Sequence, residues 1–151
     1  MHNSRTVAIV QARIGSRRLP GKVLRDIHGK PMLYRVLNRI QRAIRLDDIV
    51  VATTSRAEDD CICKLASAWG FQAFRGSEED VLDRYYRAAR LSGAELVVRI
   101  TADCPLTAPD LIDFIDQRVH GDFPGSVGRF RVPTVLEIHV NEANSLLQSV
   151  G

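Results

Sequence analysis

Apolar and polar positions change period several times along the chain, and each change marks an element. Thr6 to Gln11 (TVAIVQ) is a short, β-branched, nearly unbroken apolar run, as in a strand covered on both faces of a parallel sheet. From Pro31, which suits a first helical turn, the period becomes helical: Leu33, Val36, Leu37, Ile40 and Ile44 form a stripe with Arg35, Asn38, Arg39 and Arg42 between them. Asp47-Asp48 ends that pattern, and Ile49 to Thr53 (IVVAT) predicts a second buried strand. Ser55 to Glu58 has the form of a capping box, and Ile62, Leu65, Ala66 and Trp69 supply the stripe of a helix stopped by Gly70. Phe71 to Phe74 predicts a third strand. Ser77 and Asp80 cap a helix carrying Val81, Leu82, Tyr85 and Ala89, which stops at Gly93. Leu96 to Ile100 (LVVRI) predicts a fourth strand, and Pro109 opens a helix with Leu111, Ile112, Ile115 and Val119, ending at Gly121. Asp122 to Pro133 reads as loop, Thr134 to Val140 as a final strand, and Asn141 as the cap of a last short helix.

Strand and helix thus alternate with no hairpin signal. That predicts an α/β fold, a mostly parallel sheet with helices on both faces. The chain has 151 residues, enough for one domain spanning 1–151, and shows no repeat and no linker. No apolar run approaches the ~20 residues a membrane span needs, and the N-terminus lacks the pattern of a signal peptide. The expectation is a cytoplasmic protein. Cys61, Cys63 and Cys104 have no zinc-ligand spacing, and the histidines are scattered, so the thiols are expected to be reduced and structural.

The net charge of +3 says less than its distribution. Arg5, Arg13, Arg17, Arg18, Lys22, Arg25 and Lys30 lie close together against a single acid, Asp26. Such a cluster predicts an anionic partner, either nucleic acid or a phosphorylated small molecule.

In open α/β sheets ligands bind beyond the carboxyl ends of the strands. After the first strand comes Ala12 to Lys22 (ARIGSRRLPGK). Gly15 and Gly21 allow a tight turn and a close backbone approach, and Arg13, Arg18 and Lys22 would match a triphosphate. The segment is not a Walker A loop: five residues separate Gly15 from Gly21-Lys22, and Val23 stands where Ser or Thr is required. After the fourth strand comes Thr101 to Leu106 (TADCPL), where Asp103 is placed either to hold Mg²⁺ against phosphate oxygens or to cap a turn. After the third, Arg75 to Tyr85 offers a helix start to an anion or a sugar. There Glu78 and Glu79 read as partners of the helix dipole, with Arg75, Asp80, Asp83 and Arg84 left open. Thr53 and Thr54, after the second, either touch a base or cap the next helix.

Together VQARIGSRRLPGKVL, VVATT, FRGSEEDVLDRY and VRITADCPL resemble the cytidylyltransferase family of the spore coat polysaccharide biosynthesis protein F type. That family is similar to the synthetases that activate 3-deoxy-manno-octulosonate and acylneuraminate with CTP. The resemblance covers residues 6–119; residues 120–151 diverge. It implies a three-layer α/β/α, Rossmann-like fold of the nucleotide-diphospho-sugar transferase (GT-A-like) type, shortened at the C-terminus. It implies transfer of a CMP group from CTP to a sugar with Mg²⁺ as cofactor, in surface polysaccharide biosynthesis. The triphosphate loop matches Ala12, Arg13, Gly15, Ser16, Arg18 and Lys22, and the strand end near the base matches Thr53 and Thr54. The sugar side matches Arg75, Gly76, Asp80 and Arg84 more loosely. The metal aspartate matches Asp103, and Arg13, Lys22 and Asp103 carry the catalytic expectation. The family's Gly-Leu-Asp-Val-Glu-Val segment corresponds to Val135 to Val140, so Glu137 stands where an aspartate helps hold the metal. The expected partners are CTP and a sugar, with a homodimer left open and no membrane.

Three functions remain in competition: an active CMP-sugar synthetase, a relative that binds nucleotide without turnover, and a nucleic-acid-binding domain. The last is disfavoured, because the basic residues sit in a glycine loop after a buried strand and no RNA-binding aromatic motif or recognition helix accompanies them.

Overall fold

The computed structural model describes residues 4–121 and 134–137, with side chains described through 117. Five strands form one parallel sheet: β1 (Thr6–Gln11), β4 (Asp48–Thr54), β5 (Gln72–Gly76), β6 (Leu96–Thr101) and β7 (Thr134–Glu137), in the spatial order β5-β4-β1-β6-β7. Helices α1 (Met32–Ile40), α2 (Asp60–Ala68), α3 (Val81–Ser92) and α4 (Pro109–Gly121) connect them. The loop read at Asp122 to Pro133, the strand end beyond Glu137 and the helix cap at Asn141 lie outside the described residues.

The unbroken apolar runs follow from burial on both faces. On β1, Ala8 and Val10 pack with Leu33, Val36, Leu37 and Ile40 of α1, Ile62 of α2 and Ile112 of α4. Val7 and Ile9 face the other way, against Tyr85, Ala88 and Ala89 of α3. Each such fully buried aliphatic side chain is worth about 1.5–3 kcal/mol. The helices therefore cover both faces, as the alternation of strands and helices predicts.

Local details differ from the sequence pattern for identifiable reasons. A small antiparallel hairpin joins β2 (Asp26–Ile27) to β3 (Lys30–Pro31) before α1, where no hairpin is expected. Its turn places His28 and Gly29 at φ 50° and 80°, the left-handed geometry that tight hairpins need, and Asp26 Oδ1 accepts from Gly29 N at 2.9 Å. Helix α1 stops at Ile40 rather than reaching Ile44. Arg42 N and Ala43 N turn back to the carbonyls of Arg39 and Ile40, and that tightening rotates Ala43 inward and leaves Ile44 87% exposed. The backbone N–H groups of Ile44 and Arg45 are then captured by the Asp113 carboxylate of α4 at 3.1 and 2.8 Å. Leu82, expected in an apolar stripe, lies 76% exposed on the outer side of α3.

Candidate active site

Going from β1 to β4 to β5 the chain steps outward, then returns under α3 to lay β6 on the opposite side of β1. The order reverses between β1 and β6, and in such sheets the crevice beyond that point binds ligands. A cleft of about 700 Å³ opens there. Gln11, Arg99 and Thr101, from the paired strands β1 and β6, belong to its lining, with Arg13, Ser16, Arg17, Arg18 and Lys22 from the loop and Asp103 across from them. Arginine and lysine outnumber acids five to one among the described lining residues.

The loop owes its shape to its own backbone. The Ile14 carbonyl accepts from Ser16 N at 2.7 Å and from Gly21 N at 2.9 Å, which closes the segment on itself. Gly21 sits at φ 68°, a left-handed conformation that side chains resist, and leads into a 3-10 turn over Lys22–Leu24. That turn brings Lys22 Nζ to 3.0 Å from Asp103 Oδ2, joining residues 81 positions apart. Burial pushes the Asp103 carboxyl upward, but the Thr101 hydroxyl and the Lys22 ammonium outweigh it and hold the group below its ordinary value. Asp103 is therefore ionised at neutral pH. Its single oxygen-donor group suits a hard cation that takes its other ligands from a nucleotide's phosphates; no group of three or more His, Cys, Asp or Glu gathers among the described residues.

Other residues expected at the site are not among the described lining of this cleft. Thr53 and Thr54 are 0% and 1% exposed. The Thr54 hydroxyl donates to Asp59 and accepts from Arg56 N at 3.2 Å, which ties the strand end to the entry of the 3-10 turn Ala57–Asp59; that turn has no side-chain cap, from the Ser55–Glu58 box or otherwise. Arg75 donates to the carbonyls of Thr54 and Arg56 at 3.2 and 2.8 Å and pairs with Asp60 at 2.5 Å. Asp80 caps α3 by accepting from Asp83 N at 2.8 Å. Arg84 is 1% exposed and donates to the Ser77 carbonyl; its stem lies against Gly76, where a Cβ would come within 3.0 Å of Arg84 Cγ. Burial lowers the Arg84 pKa. Glu137 ends β7 with its backbone in register with Arg99, and its side chain lies outside the described residues.

Three cleft and loop contacts are absent from the sequence reading. Arg99 lies with its guanidinium carbon 5.0 Å from the centre of the Tyr85 ring, and Tyr85 Oη donates to Gln11 Oε1 at 3.3 Å. A lone arginine in the otherwise apolar run LVVRIT was the available signal. Glu78, read as a dipole partner, bonds Arg56 at 2.9 Å and comes within 3.9 Å of Arg13. Asp59 accepts from Ile14 N at 2.8 Å.

A parallel sheet with a basic glycine loop at its switch point, facing an ionised aspartate, defines an α/β protein with a cationic cleft of the kind that suits an anion. The chain belongs to the cytidylyltransferase family, whose model matches residues 7–148. It is 37% identical over 113 residues to the spore coat polysaccharide biosynthesis protein SpsF of Bacillus subtilis, covering 72% of this chain and 47% of that protein. It is 40% identical over 108 residues to the 3-deoxy-manno-octulosonate cytidylyltransferase of Geobacter sulfurreducens, covering 70% and 42%. Among solved structures, the CMP:2-keto-3-deoxy-manno-octonic acid synthetase complexed with CTP superimposes with a TM-score of 0.71 at 30% identity, covering 79% of this chain and 48% of that one. The chain thus spans less than half the length of these relatives. Among the described residues no helix is long and apolar enough to cross a membrane.

Proposed function

We propose that the protein transfers a CMP group from CTP to an acidic sugar, releasing pyrophosphate. The observation that carries this reading is the Lys22–Asp103 pair, an ammonium and a carboxylate 3.0 Å apart in the lining of a basic cleft, which suits phosphate on one side and a hard cation on the other. The triphosphate lies along the loop from Ala12 to Lys22, against Arg13, Arg18 and Lys22. Asp103, with Glu137 as the second candidate, would hold Mg²⁺, which when bound would supply charge neutralisation at the phosphates. A sugar hydroxyl oxygen forms a bond to the α-phosphorus while the bond from that phosphorus to the α,β-bridging oxygen breaks; the bridging oxygen leaves with pyrophosphate, and the hydroxyl proton passes to solvent water or to the departing pyrophosphate. Such chemistry asks the protein chiefly for alignment and for cations around the phosphates. No histidine lies in the motifs, and an acidic hydroxyl or carboxylate on the sugar lessens the need for a protein base. The solved synthetase with CTP, at 30% identity, supports the choice of nucleotide.

The test is pyrophosphate release from CTP and Mg²⁺ with a panel of acidic sugars. Release with one or more of them is expected. Measurable CTP binding without release from any sugar would leave only the binding function, which the glutamate at position 137 favours. Binding to RNA or DNA tighter than to CTP would overturn the nucleotide reading.

A further inference from the structure

We propose that Asp59 is a positioning residue for the phosphate loop, acting through the backbone N–H of Ile14. Asp59 is 1% exposed, and nothing in the reaction proposed above uses its carboxylate. One oxygen accepts from Ile14 N at 2.8 Å and the other from the Thr54 hydroxyl. The Ile14 carbonyl meanwhile receives Ser16 N and Gly21 N, the two bonds that close the loop. Both main-chain groups of Ile14 are thus held: its N–H by Asp59, at the end of the 57–59 turn, and its C=O by the loop itself. The same turn lies against the next residue, since a Cβ on Gly15 would come 2.9 Å from Glu58 Oε1.

Such a clamp has a physical purpose. Four cations, Arg13, Arg17, Arg18 and Lys22, share the cleft and repel one another, and glycines at 15 and 21 leave the backbone many alternative conformations. A loop ordered before the ligand arrives spares the nucleotide that ordering cost. Asp59 comes from a segment 45 residues away from Ile14, beyond β4, and reaches the loop because β4 lies beside β1 in the sheet. Its effect is therefore expected in ligand affinity as well as in stability. The inference rests on the triphosphate reading of the loop.

Asp59→Asn keeps a carbonyl oxygen for Ile14 N–H and can donate to Thr54; Asp59→Leu has similar size and no acceptor. CTP binding with Mg²⁺ is measured by calorimetry at a temperature where each variant is folded, alongside amide hydrogen exchange at Ile14. Asp59→Asn is expected to bind within about twofold of the parent, and Asp59→Leu roughly tenfold more weakly, as the Ile14 N–H loses its side-chain acceptor. The Ile14 amide is expected to exchange slowly in the parent and in Asp59→Asn, and at least about tenfold faster in Asp59→Leu. Unchanged CTP affinity in folded Asp59→Leu would overturn the proposal. If that variant does not fold, fast Ile14 exchange in the parent overturns it and slow exchange kept in Asp59→Asn supports it. A parent chain that fails to bind CTP refutes the triphosphate reading instead, and the Ile14 exchange of that chain still decides the clamp.

Discussion

The Lys22 and Asp103 side chains are 37% and 44% exposed, so their ion pair is worth about 1 kcal/mol or less and a ligand separates them cheaply. Their contact makes opposite predictions for the two partners. Asp103→Asn frees Lys22 and removes a negative charge next to the phosphates, so CTP in EDTA should bind roughly fivefold more tightly, while Mg-CTP should bind more weakly. Lys22→Ala should weaken CTP in both conditions by roughly tenfold or more. Calorimetry with and without Mg²⁺ checks both, and equal affinities for the parent and both variants would show that the ligand sits elsewhere. The pH dependence follows from the lowered Asp103 pKa. Whatever stability the charged form contributes is complete above the ordinary carboxylate range and is lost only as pH falls through the lowered value. Mg-CTP binding should accordingly keep its Asp103 contribution through mildly acidic pH.

At the scale of elements, the β5–α3 junction separates capping from recognition. Asp80 accepts from Asp83 N, and its replacement by alanine should cost about 1 kcal/mol, with asparagine or serine restoring most of it. Thermal unfolding of the three variants tests this; full restoration of both stability and sugar KM by asparagine would make Asp80 a cap first. Gly76 is constrained more severely, since a Cβ would meet Arg84 Cγ and Phe74 Cε1 at 3.0 Å. Gly76→Ala should therefore destabilise by about 1–3 kcal/mol through overpacking. Much of this was legible in the chain: the Ser77–Asp80 cap, the Gly93 stop and the four helices all follow from local side-chain chemistry. The end of α1 was not, because Ile44 keeps the helical period in sequence while the fold turns the chain to meet Asp113.

Over the whole molecule, the sheet order collects the cations of one loop and Arg99 of β6 around a single cleft. Because these charges are partly solvated, metal-free CTP affinity should fall by roughly tenfold as NaCl rises from about 0.05 to 0.5 M, as screening shortens the field. A flat salt response would argue that the basic cluster does not hold the phosphates. Arg99, beside the Tyr85 ring on the strand adjoining β7, adds positive charge to the cleft from β6 rather than from the loop. If it faces the acceptor, Arg99→Ala should raise the KM for an acidic sugar more than that for CTP, which steady-state kinetics distinguishes.

The loop from Ala12 to Lys22 and the aspartate after the fourth strand could be read from sequence alone. Glycine placement, charge and strand ends are local properties, and local properties are written in consecutive residues. What Thr54, Arg75 and Arg84 touch within the protein is visible only in three dimensions, because each has the same side chain for capping and for recognition. In the fold their polar groups meet Asp59, Asp60 and backbone carbonyls. The pairing of Lys22 with Asp103, the clamp of Asp59 on Ile14 and the place of Arg99 beside Tyr85 depend on strands brought side by side from distant parts of the chain. No spacing rule carries that information; the parallel register of β1 with β4 and β6 does.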